Sequence, residues 1–171
     1  MTPTRTTTTT TTTTTVPSPI GPLTLTAVDG VLSGVYTDAE KHRPPPGSLG
    51  RPDPAAFGEA TEQLRAWFAG ETTVFEMVTE PGTGTPFQRR VWAALRDVGY
   101  GQTASYAEIA EAVGQPTAVR AVGAANGRNP LCIVVPCHRV VGADGSLTGY
   151  TGGIERKSWL LDHEQRVLSA R

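Results

Sequence analysis

The segment SYAEIAEAVGQPTAVRAVGAANGRNPLCIVVPCHRVV, residues 105–141, decides the fold of the C-terminal half. Ser105 and Glu108 form a capping box, the pattern with which many helices begin. Pro116 suits the first turn of a further helix that reaches about Asn126. Two short helices joined by a turn of a few residues have the outline of a helix-turn-helix.

The second of these helices carries few bulky side chains. Alanine or glycine stands at positions 118, 121 and 123–125, so the helix backbone could come close to another surface, while Arg120 projects about 100° away from its neighbour. Such a helix suits insertion into a nucleic-acid groove. Two alternatives stay open: a helical pair without any DNA contact, and close helix packing with Arg120 on the surface.

The end of the segment contains two cysteines, Cys132 and Cys137. If the apolar run between them is a strand, they lie about 16 Å apart on opposite faces and cannot form a disulfide. We interpret Cys132 as a small buried hydrophobic side chain. Cys137 is followed directly by His138 and Arg139, an electropositive setting that lowers a thiol pKa, and this favours a reactive thiol over an inert one.

A carboxylate lies among leucines in the last predicted helix, which runs from about residue 154 to 168. Glu164 shares the core-facing stripe with the leucines at positions 160, 161 and 168. Burying a carboxylate is costly unless it is paired. A histidine held by Glu164 and turned toward a thiol would form a Cys-His-Glu relay, and the alternative is a structural ion pair with Arg139. We expect His163 at the surface.

The N-terminal half predicts a small α/β unit without a catalytic constellation. Residues 22–28 and 31–36 are typical of a hairpin closed by an Asp-Gly turn. An apolar stripe predicts a helix over 53–69, and 74–78 predict a further short strand. Residues 1–15, which include ten consecutive threonines, are expected to form a disordered tail.

Composition and charge restrict the class of protein. The 171 residues are 38% hydrophobic and 18% charged, with a net charge of -1, as in a soluble globular protein. No apolar run reaches the length of about 18 residues that a membrane span needs, and no signal peptide or zinc-ligand spacing is recognisable. Residues 1–83 contain five basic and nine acidic side chains and residues 84–171 ten and seven, so the C-terminal half better suits a polyanionic partner.

Several motifs, in this order and spacing, resemble the O6-alkylguanine-DNA alkyltransferases, also called methylated-DNA-protein-cysteine methyltransferases. The resemblance covers about residues 17–168 and is carried by TPFQRRVW (85–92), SYAEIA (105–110), RAVG (120–123), NP (129–130) and PCHRV (136–140). It implies a mixed α/β (α+β) fold. A small ribonuclease-H-like α/β domain over 16–80 would precede a mostly helical domain over 84–168, which contains the helix-turn-helix and the PCHR active-site segment.

The resemblance also implies a set of catalytic roles. Cys137 would be the alkyl acceptor, His138 a water-assisted base, and Glu164 the residue that orients His138. Asn129 would brace the active-site segment. Tyr106 would rotate the phosphate of the target nucleotide and hydrogen-bond the guanine ring.

Further roles concern DNA and the target base. Arg120 would fill the gap in the base stack after the helix enters the minor groove, and the other DNA-binding positions would be Tyr106, Ala121, Gly123, Ala124 and Arg128. The guanine pocket would be formed by Val135, Val140, Tyr150, Thr151 and Gly152.

The implied activity is direct DNA repair by a suicide enzyme that flips the target nucleotide. The alkyl group of O6-alkylguanine, or of O4-alkylthymine, would pass irreversibly to Cys137. We expect double-stranded DNA containing alkylated guanine as the partner, a cytoplasmic monomer that can cluster along DNA, no membrane association, no cofactor and no metal. A binding-only relative or transcriptional regulator and a cysteine hydrolase are the competing hypotheses; relatives of the first kind lack the acceptor cysteine.

Overall fold

The computed structural model describes residues 8–171 and begins with a four-stranded sheet. Its strands are β1 (Thr11–Val16), β2 (Leu23–Val28), β3 (Val31–Thr37) and β4 (Arg51–Pro52), in the order β3-β2-β1-β4. β4 is parallel to β1, and the other neighbours are antiparallel. The predicted hairpin is confirmed. Asp29 and Gly30 have φ values of 49° and 81°, as expected for a tight turn with two left-handed residues.

The predicted disordered tail is wrong for residues 11–15, because these threonines form most of β1. Thr11–Val16 pairs with all six residues of β2. Thr12 is buried, and the Thr13 hydroxyl donates a hydrogen bond to the Leu25 carbonyl at 2.9 Å. Threonine is β-branched and suits a strand, so partner strands on both sides compensate for the missing hydrophobic period. Residues 1–7 of the predicted tail lie outside the described residues.

One helix packs on this sheet. A 3₁₀ turn at Pro54–Phe57 leads into α1 (Gly58–Phe68), whose predicted apolar stripe is confirmed, with Trp67 fully buried. The strand predicted over 74–78 is wrong. The side chains of Val74 and Val78 are 58% and 77% exposed, and the backbone of this stretch bonds to the Gln63 side chain instead of to a strand.

The C-terminal half consists mainly of helices. They are α2 (Pro86–Leu95), α3 (Tyr106–Ala112), α4 (Val119–Gly127) and α5 (Ile154–Ser169), and a short parallel pair joins β5 (Ala104–Ser105) to β6 (Val140–Val141). The predicted capping boxes of α2 and α3 are both present. The helix predicted from 115 begins at Val119 because residues 115–118 form a turn, closed by a bond from the Ala118 N–H to the Gln115 carbonyl.

Helix α4 is anchored by its inner face. Val122 and Ala125 are buried, and the Trp92 indole N–H on α2 donates to the Ala125 carbonyl at 2.8 Å. The opposite face of α4 is exposed. None of the helices within residues 8–171 combines the length and apolar character that a bilayer crossing requires.

The segment 130–135 joins the sheet to the helical part. The Val35 N–H donates to the Pro130 carbonyl at 2.8 Å, and the Cys132 N–H donates to the Val35 carbonyl at 3.1 Å. The apolar run between the two cysteines does not form the strand that was considered: the φ of Ile133 is 73°, and the chain turns back so that the Val135 N–H bonds to the Leu131 carbonyl at 2.8 Å. This reversal changes the relation between the two cysteines.

Candidate active site

Cys137 is the first residue of a 3₁₀ turn that continues through His138 and Arg139. Pro136 precedes the turn and lacks a backbone donor, which suits a break in regular structure. All three side chains are buried, with Cys137 5% and His138 0% exposed. The predicted nucleophile and the predicted base therefore lie next to each other in a water-poor site.

His138 and Arg139 both bind Glu164. The Nε2 atom of His138 lies 2.8 Å from Oε1 of Glu164, and Arg139 binds the same carboxylate through Nε and Nη2. Glu164 thus holds a histidine, as the relay interpretation requires, and also forms the alternative ion pair with Arg139. Within residues 8–171, Nδ1 of His138 has no hydrogen-bond partner. Nδ1 is consequently the ring nitrogen that can take a proton.

Burial and neighbouring charges set the protonation states of Glu164 and His138. Burial alone would raise the pKa of Glu164, but hydrogen bonds from His138 and Arg139 outweigh it and bring the pKa to about 2. The Gly101 N–H adds a bond to Oε2 at 2.9 Å. Burial lowers the pKa of His138, and this outweighs the neighbouring Glu164, which raises it. At neutral pH the site therefore contains a carboxylate and a neutral imidazole, the form that can act as a base.

The Cys137 thiol is acidified, but by a different neighbour from the one that the sequence suggested. Its pKa is lowered mainly by the Cys132 side chain; Asn129 and Lys157 also lower it, whereas burial and Glu40 oppose the shift. His138 is neutral and Arg139 is paired with Glu164, so neither supplies the expected positive charge. The predicted separation of about 16 Å between the cysteines is wrong, because the strand on which it rested is absent.

Two asparagines hold the backbone on both sides of Cys137. The Asn129 side-chain amide donates to the Val135 carbonyl at 2.9 Å and accepts from the Leu131 N–H at 3.0 Å. Asn126, which lies on α4, donates to the Cys137 carbonyl at 3.3 Å. Asn126 thus joins α4 directly to the backbone of the predicted alkyl acceptor. Asn126 has no local sequence signal that would mark it as part of this site.

Lys157 is a second residue that the sequence analysis missed. Its ammonium group is completely buried and donates to the carbonyls of Val140 and Thr148. Burial lowers the pKa of Lys157, and this outweighs the charge interaction with Cys137, which raises it. Lys157 stands seven residues before Glu164 on α5, so the reasoning that identified a carboxylate on the apolar stripe could have identified this lysine as well.

Tyr106 lies at the first turn of α3 and reaches the loop after β6. Its hydroxyl donates to the Thr148 carbonyl at 3.0 Å. Burial raises the pKa of Tyr106, with a smaller contribution from Cys137, so the hydroxyl remains protonated. Gly123 of α4 faces the Tyr106 ring. Tyr106 therefore stands between the exposed helix and the thiol.

The residues predicted to bind DNA share one side of α4. Arg120 is exposed, as are the other three outward positions of this side, Ala121, Ala124 and Arg128. Gly123 is half-buried under Tyr106. These positions form a narrow surface with small residues between two arginines, which we call the α4 face.

The predicted guanine-pocket residues differ in burial and in how many hydrogen bonds their carbonyls can still accept. The Val135 carbonyl accepts hydrogen bonds from the Asn129 amide and from the Cys137 N–H, so both lone pairs of its oxygen are used. The Val140 carbonyl accepts from the Lys157 ammonium group and can accept one more hydrogen bond. Tyr150 and Gly152 are buried, and the Thr151 methyl group packs against Gly127 of α4. A cavity of about 570 Å³ that includes Gly152 lies at the start of α5 and against Pro19 and Ile20, and none of the other predicted pocket residues lines it.

Two expectations for α5 are wrong. His163 is not at the surface: it is 6% exposed, its Nε2 lies 3.0 Å from the Trp67 carbonyl, and its ring stacks on Trp159. Leu168, placed on the core-facing stripe, is 42% exposed, although Leu160 is buried as predicted. His163 is buried because the rings of Trp67, Phe68 and Trp159 pack around it. Among residues 8–171, no three His, Cys, Asp or Glu side chains are grouped as a metal site requires.

The chain is similar to known proteins over most of its length. The family model described as the DNA-binding domain of 6-O-methylguanine DNA methyltransferase matches residues 86–166. The methylated-DNA–protein-cysteine methyltransferase of Mycobacterium tuberculosis H37Rv is 52% identical over 150 residues, which is 88% of this chain and 90% of that protein. The chain belongs to the methylated-DNA–protein-cysteine methyltransferase family.

Solved structures of this family have the same fold. The crystal structure of Mycobacterium tuberculosis OGT in complex with DNA superposes with a TM-score of 0.86 at 50% identity, covering 91% of this chain and 94% of that one. The O6-methylguanine-DNA methyltransferase from the archaeon Pyrococcus kodakaraensis superposes with a TM-score of 0.64 at 26% identity, covering 90% and 98%. The resemblance inferred from the motifs is thus confirmed for the family.

Proposed function

We propose that this protein repairs DNA by transferring the alkyl group of O6-alkylguanine irreversibly to Cys137. The supporting observation is that a buried thiol with a lowered pKa directly precedes a buried histidine whose Nε2 atom is held by Glu164. That arrangement supplies a nucleophile, a base and an orienting group. Family membership adds the reaction class.

The chemical step is a direct displacement at carbon. The Cys137 thiol proton passes to Nδ1 of His138, directly or through a water, and the Glu164 carboxylate stabilises the imidazolium that forms. The thiolate then attacks the alkyl carbon, so an S–C bond forms as the C–O6 bond breaks and the electron pair stays on guanine. The Tyr106 hydroxyl donates a hydrogen bond to the ring as this charge develops.

The product is a thioether on Cys137, and its formation ends the activity of that molecule. An unactivated thioether does not readily lose its alkyl group by displacement, so the S–C bond persists once it has formed. One protein molecule therefore repairs one lesion. O4-alkylthymine presents the same alkyl–oxygen bond and is the second substrate that we propose.

Access to the lesion requires that the nucleotide leave the duplex, at a cost of a few kcal/mol. We propose that the α4 face enters the minor groove, where its small residues permit close approach, and that Arg120 fills the space left in the base stack. Tyr106 must then exchange its bond with the Thr148 carbonyl for contacts with the rotated nucleotide. Asn126 and Asn129 would keep Cys137 in place during this exchange.

The decisive experiment measures the mass of the protein after incubation with a duplex that contains one O6-methylguanine. We expect the gain of one methyl group, located on the peptide with Cys137, and a yield that stops at one methyl per protein. Cys137→Ala should bind the duplex without gaining mass.

Other outcomes of this experiment would overturn the proposal. Binding without methyl uptake by the native protein would indicate a recognition protein. Repeated turnover of an ester or amide substrate, with no alkylation of Cys137, would indicate a cysteine hydrolase.

A further inference from the structure

Trp67, near the end of α1, packs its ring against side chains from three other parts of the chain. The Trp67 side chain is fully buried. The His138 ring lies edge-to-face with it, with 6.2 Å between the ring centroids and an angle of 77°, a contact geometry that aromatic pairs favour. The Tyr100 ring, in the loop after α2, lies at 5.9 Å, and the His163 ring, on α5, lies at 4.9 Å. A residue of the N-terminal half therefore packs directly against the proposed base.

The backbone of Trp67 is attached to the same helix that holds His138. The Trp67 carbonyl lies 3.0 Å from Nε2 of His163. The next residue of α5 is Glu164, whose carboxylate lies 2.8 Å from Nε2 of His138. Two consecutive residues of α5 thus hold α1 and the proposed base, and this fixes the two rings relative to each other.

The indole N–H of Trp67 takes no part in this arrangement. It is buried, and among residues 8–171 it has no hydrogen-bond partner. A buried donor without a partner is unfavourable, so the contribution of Trp67 must come from its ring and not from the N–H. A phenyl ring at this position should keep that contribution, whereas an aliphatic side chain should lose it.

Trp67 and Glu164 restrain His138 in different ways. The Glu164 carboxylate fixes the Nε2 end of the imidazole by a hydrogen bond, whereas the Trp67 ring covers it by packing. Burial is the largest cause of the lowered pKa of His138. Burial has this effect because a charged imidazolium is less stable where water is excluded.

We propose that Trp67 is a positioning residue for the alkyl transfer, because its ring holds the imidazole of His138 in its orientation and shields it from water. This inference rests on the proposed function of His138 as the base. It gives the N-terminal half, in which the sequence indicated no catalytic constellation, a part in the reaction. The shielded imidazole stays neutral near pH 7 and is therefore ready to accept a proton.

Two polar atoms close to Trp67 would bind water if its ring were replaced by a smaller side chain. Nδ1 of His138 and the Tyr100 hydroxyl are buried, and within residues 8–171 neither has a hydrogen-bond partner. Both atoms belong to rings that pack on Trp67. Water occupies a buried space when it finds polar partners there. A smaller aliphatic residue should therefore hydrate His138 and raise its pKa.

The charged groups around the imidazole stay the same when the tryptophan is replaced. Glu164 raises the pKa of His138, whereas Arg139 of the same turn and Lys157 of α5 lower it. Tyr100 remains protonated because burial raises its pKa. The charged side chains of α1 and α2 are exposed, namely Glu59, Glu62, Arg65, Arg89 and Arg90. A change in the titration of His138 therefore reports the missing ring.

The experiment compares native protein with Trp67→Leu, Trp67→Phe and the control Phe57→Leu. Phe57 is also a buried ring, in the turn before α1, but it lines a cavity with Leu32 and Met77. The titration of His138 is followed by NMR of its imidazole from pH 4.5 to 8.5, with a His138→Gln protein for the assignment. Methyl uptake from an O6-methylguanine duplex is measured at pH 6 and at pH 8. The titration does not require DNA repair, so it tests Trp67 even if the proposed function fails.

We expect the His138 midpoint to rise by about 0.5–1 pH unit in Trp67→Leu, because hydration reverses part of the effect of burial. Methyl uptake should fall several-fold at pH 6 and less at pH 8, where the imidazole is neutral in both proteins. Trp67→Phe and Phe57→Leu should stay close to native protein in both measurements.

An unchanged His138 midpoint in folded Trp67→Leu, or a rise of the same size in Trp67→Phe or Phe57→Leu, would overturn the proposal. If Trp67→Leu does not fold, Trp67→Met replaces it, because the flexible methionine side chain fills irregular gaps. A native His138 midpoint at or above the ordinary value of about 6.5 would overturn the proposal without any variant, because a shielded imidazole titrates below it. Absence of methyl uptake by native protein, with the expected midpoints, would instead refute the proposed function.

Discussion

Arg139 and Glu164 form a buried bidentate ion pair, with Nη2 2.7 Å from Oε1 and Nε 3.1 Å from Oε2. The Arg139 Nη1 atom also donates to the Val98 carbonyl at 2.7 Å. The same carboxylate oxygen that orients His138 therefore belongs to a pair that joins the active-site turn to α5. The Glu164 carboxylate therefore both orients His138, the proposed base, and stabilises the fold through its pair with Arg139.

Replacing Arg139 with methionine should be strongly destabilising. The substitution leaves the Glu164 carboxylate buried with one fewer partner, and loss of one member of a buried pair costs about 3–5 kcal/mol. Urea unfolding at pH 7 measures the change. The control is Arg51→Met, whose ion pair with Asp53 is exposed and contributes about 0–1 kcal/mol. A similar loss in both variants would contradict the importance of the buried pair.

The Glu164 carboxylate should make the protein sensitive to acid. Its folded-state pKa of about 2 lies below the unfolded value, so its stabilising effect is present above the unfolded pKa and is lost as the pH falls toward 2. Between pH 5 and pH 2 the native protein should lose ~2–3 kcal/mol more stability than Glu164→Gln. Equal losses in thermal or urea unfolding would show that Glu164 does not dominate this acid transition.

Glu40 should act in the opposite direction. Burial raises its pKa to about 7, so the folded state holds a proton that the unfolded state releases above about pH 4.3. Native stability should therefore fall by about 2 kcal/mol between pH 5 and pH 8 relative to Glu40→Gln. Glu111→Gln, at an exposed position on α3, is the control and should follow the native protein. A Glu40→Gln protein that parallels the native curve would contradict this.

Arg120→Ala should separate repair of duplex DNA from reaction with a free base. If Arg120 compensates part of the cost of flipping, methyl uptake from a duplex should slow by about tenfold or more. The rate with a free O6-alkylated guanine base should not change. Arg51→Ala, another exposed arginine, should leave both rates intact. Equal slowing with duplex and free base would show that Arg120 is not the stacking residue.

Local signals predicted the elements whose cause is local. The Asp-Gly turn, the two capping boxes and the apolar stripe of α1 each depend on residues within a few positions of one another, and all are present. The prediction that Glu164 needs a partner was likewise sound, because the cost of a buried carboxylate does not depend on the fold.

Other features depend on neighbours that are distant in sequence. β1 forms from threonines because β2 and β4 offer hydrogen bonds, and His163 is buried because Trp67 and Trp159 enclose it. Neither effect has a local signature. The same holds for Asn126, whose partner is the carbonyl of a residue eleven positions later.

The sequence by itself determined the family and the His-Glu partnership and predicted Cys137 as the alkyl acceptor, because these depend on residue types in a fixed order. Only the tertiary structure decided how the thiol is acidified. The chain reversal at Ile133 turns the segment back on itself, and the largest cause of the lowered Cys137 pKa is the Cys132 side chain, while burial opposes the shift. A positive φ at a β-branched residue is imposed by the surrounding fold, so linear spacing gave the opposite answer.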